Sequence, residues 1–449
     1  MLKRKIMNTL IEWKNNTLVK KKALVIKGLR QIGKTFIVRQ FATENYDNQI
    51  YINFKMNNDL KSVFDENLNV DRILLDISAK MPNIKLIPYK TIIIFDEIQE
   101  CANARASIKS FVEDGRYDVI ATGSMLGIRG YNKKKGQGVP TGSEHIIYMY
   151  PLDFEEFLWA KGISDNVITY LKECFINKKQ ISNAIHTSML RYFREYICVG
   201  GLPEAVNIFL NTGDMNQVYE QQNDILEEYK DDFGKHLDIN ENENVDQLLL
   251  ARILKVFNSI PSQLAKENKK FQFSKLGHNG RSSNYKEAVQ WLIDAGLIIP
   301  CYNLSALQLP LDGYKIESTF KLYMADSGLF ISMLERTTAG KILSDELQIY
   351  KGAIYENMVA DAFSKMNRKL YYYHKDSGLE IDFITVFKDE LSLVEVKATN
   401  GKSKAASTIL NDKKYNVNKC IKFGSYNIST NDKYLNLPYY LLFLFKDIN

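Results

Sequence analysis

Gly28-Leu29-Arg30-Gln31-Ile32-Gly33-Lys34-Thr35 has the spacing GxxxxGK[ST]. Residues of these types at this spacing can hold a chain of phosphates. The glycines let successive backbone N–H groups close around an anion, and a helix that begins at the loop adds the positive end of its dipole. Lys34 would reach the β- and γ-phosphates, and the Thr35 hydroxyl would ligate Mg²⁺. Gly28, Arg30, Gly33, Lys34 and Thr35 are the expected nucleotide contacts. The loop has the context this chemistry needs. The apolar run Ala23-Leu24-Val25-Ile26 precedes it as a strand, and a helical pattern starts at Thr35-Phe36-Ile37-Val38.

A second run, Thr91-Ile92-Ile93-Ile94-Phe95, ends in two acids, Asp96 and Glu97. Five apolar residues in a row suit a strand buried on both faces, as in a parallel sheet. Asp96 at its carboxyl end would hold Mg²⁺ through water. Glu97 would polarise the attacking water as a general base. A third strand, Tyr117 to Thr122, leads into Gly123-Ser124. Ligands of open α/β sheets lie at the carboxyl ends of the strands, so Ser124 or Thr122 could sense the γ-phosphate or the water.

The C-terminal quarter carries another constellation. Glu356 lies in a helical stretch from Ala353 to Phe363, Asp382 near the start of the strand Glu380-Ile381-Asp382-Phe383-Ile384, and Glu395 and Lys397 on the strand after it. Period two puts Glu395 and Lys397 on one face. Carboxylates from Glu356, Asp382 and Glu395 could hold Mg²⁺ for phosphodiester cleavage, with Lys397 steadying the hydroxide.

The elements that must position these groups follow from the rest of the chain. Its 449 residues leave room for about two to four domains. A hydrophobic share of 45% supports a large core and excludes global disorder. The net charge of +6 allows contact with nucleic acid without requiring it. Five scattered cysteines without CxxC spacing argue against zinc and redox pairing and fit a reducing compartment. No run approaches the length of a membrane span. The expectation is a soluble cytoplasmic protein with no membrane partner.

A basic amphipathic helix from Leu2 to Lys14 opens the chain, and Gln49 to Phe54 reads as a further strand. Lys133-Lys134-Lys135 falls in a loop before the strand His145 to Tyr148. From Pro151 to about residue 235 the apolar spacing is helical, broken at Gly200-Gly201-Leu202-Pro203-Glu204, and a polar linker follows at Asn240-Glu241-Asn242-Glu243-Asn244. Residues 245–335 read as three helices and a hairpin, with Ser283 capping a helix and the strands at Ile298–Tyr302 and Phe320–Met324. Arg281 and Lys286 could touch DNA phosphates there, or the unit could pack against protein.

With these motifs in place, the chain resembles a group of prokaryotic AAA-type P-loop ATPases in which a lid, a winged helix and a C-terminal domain like the PD-(D/E)xK nucleases follow the nucleotide domain. Further markers of the resemblance are Tyr150-Pro151-Leu152-Asp153-Phe154-Glu155-Glu156-Phe157 and Gly200-Gly201-Leu202-Pro203-Glu204. It implies an α/β architecture with four parts: an ATP-binding domain at 1–160, a helical lid at 161–240, a winged helix at 241–338, and a restriction-endonuclease-like domain at 339–449. It implies a parallel sheet in order 5-1-4-3-2, and ATP with Mg²⁺ as ligands. Ile381 stands where nuclease relatives often carry proline before the metal-binding aspartate. Arg105, Arg116 and Arg129 are candidates for an arginine that completes the ATP site, and a neighbouring subunit of a homo-oligomer could supply one instead. Three functions compete: an ATP-hydrolysing switch or remodeller acting on a protein client, an ATP-gated DNA nuclease, and a nucleotide-dependent binding module for DNA or protein that does not cut.

Overall fold

The computed structural model describes residues 2–16, 21–125, 142–235, 243–266, 269–277, 280–347, 350–397 and 404–447. Arg129 and the lysine run at 133–135 lie outside them.

Five strands make the first sheet: β1 (Ala23–Gly28), β2 (Asn48–Asn53), β3 (Thr91–Asp96), β4 (Asp118–Ser124) and β5 (Glu144–Met149). Their order is β5-β1-β4-β3-β2 and every pairing is parallel. This is the order the resemblance implies, with the phosphate-loop strand inside. Successive strand residues face opposite sides. Leu24 and Ile26 of β1 join a core with Leu10 and Trp13 of α1 (Ile6–Lys14) and with Ile37, Val38 and Phe41 of α2 (Lys34–Asn45). Ala23 and Val25 join the other core with Ile73 and Ile77 of α3 (Val70–Lys80) and Ile108 and Phe111 of α4 (Ala102–Asp114). Apolar side chains are thus needed on both faces, which is why β1 and β3 are buried throughout. The first helix starts at Ile6 rather than at Leu2. Residues 3–5 run ahead of it as a strap whose side chains are used elsewhere.

Five helices follow: α5 (Phe154–Ala160), α6 (Asp165–Ile176), α7 (Asn183–Val199), α8 (Pro203–Thr212) and α9 (Met215–Lys235). Asp153 starts α5 through a capping box. Its carboxylate accepts from the Glu156 N–H at 2.9 Å, and the Glu156 carboxylate accepts from the Asp153 N–H at 3.1 Å. Pro203 sits at the first position of α8, where its missing N–H costs nothing.

Next come α10 (Glu243–Leu264), a 3₁₀ turn at Phe273–Leu276, α11 (Ser282–Asp294), β6 (Ile298–Leu304) and β7 (Lys315–Met324). Helix α11 begins at Ser282 with Arg281 at its N-cap and no side-chain cap, so Ser283 is not the capping residue. The hairpin of β6 and β7 forms, but it is not a free wing. Cys301 to Asn303 of β6 pair in parallel with β8 (Leu370–His374). The hairpin therefore ends a mixed eight-stranded sheet with β9 (Glu380–Phe387), β10 (Glu390–Val396), β11 (Lys419–Gly424), β12 (Ser429–Thr430) and β13 (Tyr434–Pro438). Between β7 and β8 lie α12 (Ser327–Ser332), α13 (Thr338–Leu343) and α14 (Lys351–Lys365), and α15 (Lys404–Asn411) follows β10. One apolar core runs from α1 and α2 through α5–α9 to α14 and the C-terminal 3₁₀ stretch Tyr439–Asp447. The nucleotide motifs and the C-terminal sheet are consequently packed into a common body. No described helix is long and apolar enough to cross a membrane.

Candidate functional site

The phosphate loop leaves the carboxyl end of β1 and turns into α2 through Gly33. Gly33 is at φ 86°, a left-handed conformation in which a side chain is strained. The first N–H groups of α2 have no partner within the helix, so they are available at the mouth of the loop. Lys34 is buried. Its Nζ donates to the carbonyls of Leu29 at 2.6 Å and Gly28 at 3.2 Å. Burial pushes its pKa down to about 8, against the opposing pull of Glu97 and Asp96, and Arg30 pushes it further down.

Asp96 is the electrostatic centre of the site. Its carboxylate accepts from the Thr35 hydroxyl at 2.9 Å, Tyr51 Oη at 2.7 Å, Asn53 Nδ2 at 3.1 Å and the Thr122 hydroxyl. Register explains the convergence: Asn53 of β2 stands beside Asp96 of β3, and Tyr51 lies one period earlier on the same face. A buried carboxylate held by several donors is fixed in orientation. Glu97 follows in a left-handed backbone conformation, φ 52°, and its carboxylate accepts from Gln99 Nε2. The turn sets Glu97 off the strand axis at the same end of the sheet as Thr35.

The two candidate sensors separate here. The Thr122 hydroxyl is committed to Asp96. Ser124 lines a small cavity together with Gly28, Arg30 and Asp232. Helix α9 closes that cavity over the loop: Tyr229 Oη donates to the Arg30 carbonyl at 2.9 Å, Arg30 Nε lies 2.9 Å from Asp232, and Gln31 donates to Glu228. Arg105 and Arg116 are held in ion pairs, with Glu144 of β5 at 2.9 Å and with Asp71 of α3 at 2.6 Å.

Thr35 and Asp96 fit a hydrated divalent ion. A hydroxyl and a fixed carboxylate, both oxygen donors, face each other at the mouth of the phosphate loop, and Mg²⁺ prefers such ligands.

The C-terminal constellation is also brought together. Asp382 is half-buried with the buried Glu356 and Glu395 near it, and its pKa is pushed up to about 7 by desolvation first and by those two carboxylates next. Its Oδ2 accepts from the Val396 N–H at 2.8 Å. Lysines already answer the other acids. Lys269 pairs with Glu356. Lys321, which is 1% exposed, lies 3.8 Å from Glu356 and 2.8 Å from Glu380. Lys397 pairs with Glu395. Among the described residues no group of three His, Cys, Asp or Glu side chains is placed to hold a metal ion. As they stand, Glu356, Asp382 and Glu395 do not fit the Mg²⁺ role. Arg281 and Lys286 are exposed at the start of α11.

Tyr51 and Asn53 were not anticipated from sequence. Their signal was present in the two-residue period of β2, but it needs the register against β3 to be read. Arg4 and the contacts of α9 had no sequence signal at all.

Residues 20–158 match the model of an AAA domain. Residues 190–339 and 351–440 match two models described only as domains of unknown function, DUF8612 and DUF4143. The chain is 27% identical over 410 residues to uncharacterized protein MJ1544 of Methanocaldococcus jannaschii, covering 88% of this chain and 78% of that protein. Among solved structures, the Aeropyrum pernix ORC2 protein in its ADPNP–ADP complexes overlays with a TM-score of 0.37 at 12% identity, covering 76% of this chain and 92% of that one. Its ADP form overlays with a TM-score of 0.28 at 12% identity, covering 76% and 93%.

Proposed function

We propose that the chain is a Mg²⁺-dependent ATPase that works as a molecular switch or remodeller. The observation that carries this reading is the 2.9 Å hydrogen bond from the Thr35 hydroxyl to Asp96, beside a lysine folded onto its own phosphate loop. The AAA-domain match over 20–158 supports it. The loop amides and the Lys34 ammonium bind the triphosphate. Bound Mg²⁺ would supply charge neutralisation between phosphate oxygens, held by Thr35 and by Asp96 through water. Glu97 orients a water and takes its proton. Ser124 reports on the γ-phosphate. Arg30, between the loop and α9, gives the lid a contact whose strength changes when phosphate arrives.

Purified protein with Mg²⁺ is expected to release phosphate from ATP. Glu97→Gln is expected to bind ATP normally and to turn over about 10² to 10⁴ times more slowly. Equal turnover in that variant would remove Glu97 from the mechanism.

The C-terminal domain supports a binding role better than cleavage, because lysines occupy its carboxylates. The partner is DNA or a protein. Plasmid incubated with the protein, ATP and Mg²⁺ or Mn²⁺ is expected to stay intact. Nicking that disappears in Lys397→Ala would favour the nuclease reading instead.

A further inference from the structure

Arg4 lies 28 residues before Ile32 of the phosphate loop, yet its guanidinium is buried against that loop. Its Nη1 donates to the carbonyl of Ile32 at 3.1 Å. Its Nη2 donates to the carbonyl of Tyr150 at 2.6 Å. Its Nε lies 3.2 Å from Glu156 Oε1, and the next residue's N–H donates to the same oxygen at 2.6 Å. Lys5 reaches Glu155 at 2.6 Å and also pairs with Asp153. The acids of the Tyr150–Phe157 motif are therefore a socket for residues 4 and 5.

The consequence for the loop comes from peptide geometry. The Ile32 carbonyl and the Gly33 N–H belong to one planar trans peptide, so they point in opposite directions. A guanidinium that pins the carbonyl outward pins the N–H inward, toward the phosphates. Gly33 is also the residue that can most easily rotate, because it has no side chain to resist it. A donor from the far side removes that freedom. The second carbonyl bond ties the same guanidinium to the segment after β5, which already abuts the loop: a Cβ on Gly28 would meet the Met149 carbonyl.

We propose that Arg4 is a positioning residue for nucleotide binding, acting through the Ile32–Gly33 peptide to hold one anion-binding N–H in place. This rests on the ATP site described above. A guanidinium is suited to the task because it can donate to two carbonyls and keep an ion pair at once; an ammonium has no fixed fork.

The test is calorimetry of ATP and ADP binding to the full chain, with thermal melting alongside. Arg4→Lys keeps the charge facing Glu156 and so preserves the fold. It is expected to weaken both nucleotides about tenfold with the melting temperature nearly unchanged, and to raise KM for ATP while leaving kcat within about twofold. Arg4→Gln is expected to weaken binding further. Lys34→Ala is the control for the site itself. If Lys34→Ala loses ATP while Arg4→Lys binds like the parent chain, the positioning role is wrong and the ATP site stands. If Lys34→Ala binds ATP as well as the parent, the site reading has failed. A fall in melting temperature with unchanged nucleotide affinity would make Arg4 a purely structural strap and overturn the proposal.

Discussion

Tyr229 of α9 donates its phenolic hydroxyl to the backbone carbonyl of Arg30 at 2.9 Å, so this helix rests directly on the loop after β1. Three residues on, Asp232 holds the Arg30 side chain at 2.9 Å. One helix thus touches both the backbone and the side chain of a loop residue. In the proposed ATP complex, phosphate that draws on the Arg30 charge would compete with Asp232.

That competition has a direction. Asp232→Asn removes the competing charge without changing shape, so ATP is expected to bind several-fold more tightly, about 1 kcal/mol for a partly buried ion pair. Calorimetry at fixed ionic strength reads it. Weaker binding in this variant would mean that Asp232 supports the bound state instead of opposing it.

The donors around Asp96 lead to a second expectation. Tyr51→Phe deletes a hydrogen bond to a buried carboxylate and leaves the ring in place. Bonds to charged groups contribute about 1.5–3 kcal/mol, and here the loss falls on the orientation of the carboxylate proposed to hold Mg²⁺. The Mg²⁺ concentration for half-maximal turnover is expected to rise several-fold, with ATP affinity in the absence of metal unchanged. Titration of turnover against Mg²⁺ checks this.

Much of the candidate site was legible in sequence because its parts are local. The loop spacing, the apolar strands and the acids at the end of β3 are each written within eight residues. The order of the sheet followed from the resemblance. The hairpin was legible as a hairpin, but its place was not. Joining β6 to β8 is a contact between residues about 70 apart, and periodicity carries no information about such pairings. The same holds for the C-terminal acids. Strand period placed Glu395 beside Lys397, whereas Lys269 and Lys321 come from other elements and were invisible until the chain folded.

The Gly200-Gly201 pair was legible only as a break between helices, and its packing gives it a stronger meaning. The Leu152 N–H donates to the Gly201 carbonyl at 2.7 Å, and the Gly201 N–H donates to Asp326 at 2.7 Å. A Cβ on Gly201 would lie 2.1 Å from the Leu152 carbonyl oxygen. Backbone cannot move aside as a side chain can, so Gly201→Ala is expected to destabilise the fold by about 3 kcal/mol or more. Denaturant unfolding measures it, and a loss below 1 kcal/mol would show that this joint is loose. Pro203, two residues on, lies next to Gly33 of the loop, so ATP affinity in this variant is expected to fall as well.

Asp361 of α14 gives the fold a pH dependence of definite sign. Its carboxyl is buried, and its pKa is pushed up to about 7, by burial first, with Asp326 and Asp153 adding to the effect and Lys365 at 2.9 Å opposing it. Its Oδ1 has no hydrogen-bond partner, which leaves the charged form poorly solvated. The folded state therefore binds this proton more tightly than the unfolded chain, where the pKa is 3.8. Protonation is present in both states below pH 4, so nothing is lost there. Stability falls as pH rises from about 4 to about 7, by a few kcal/mol at roughly 1.4 kcal/mol per unit. Asp361→Asn keeps an acceptor for Lys365 and removes the titration. Relative to the parent chain it is expected to be more stable at pH 8 and no more stable at pH 4. Paired denaturant curves at the two pH values decide the matter: an equal difference at both would mean that Asp361 stays charged throughout.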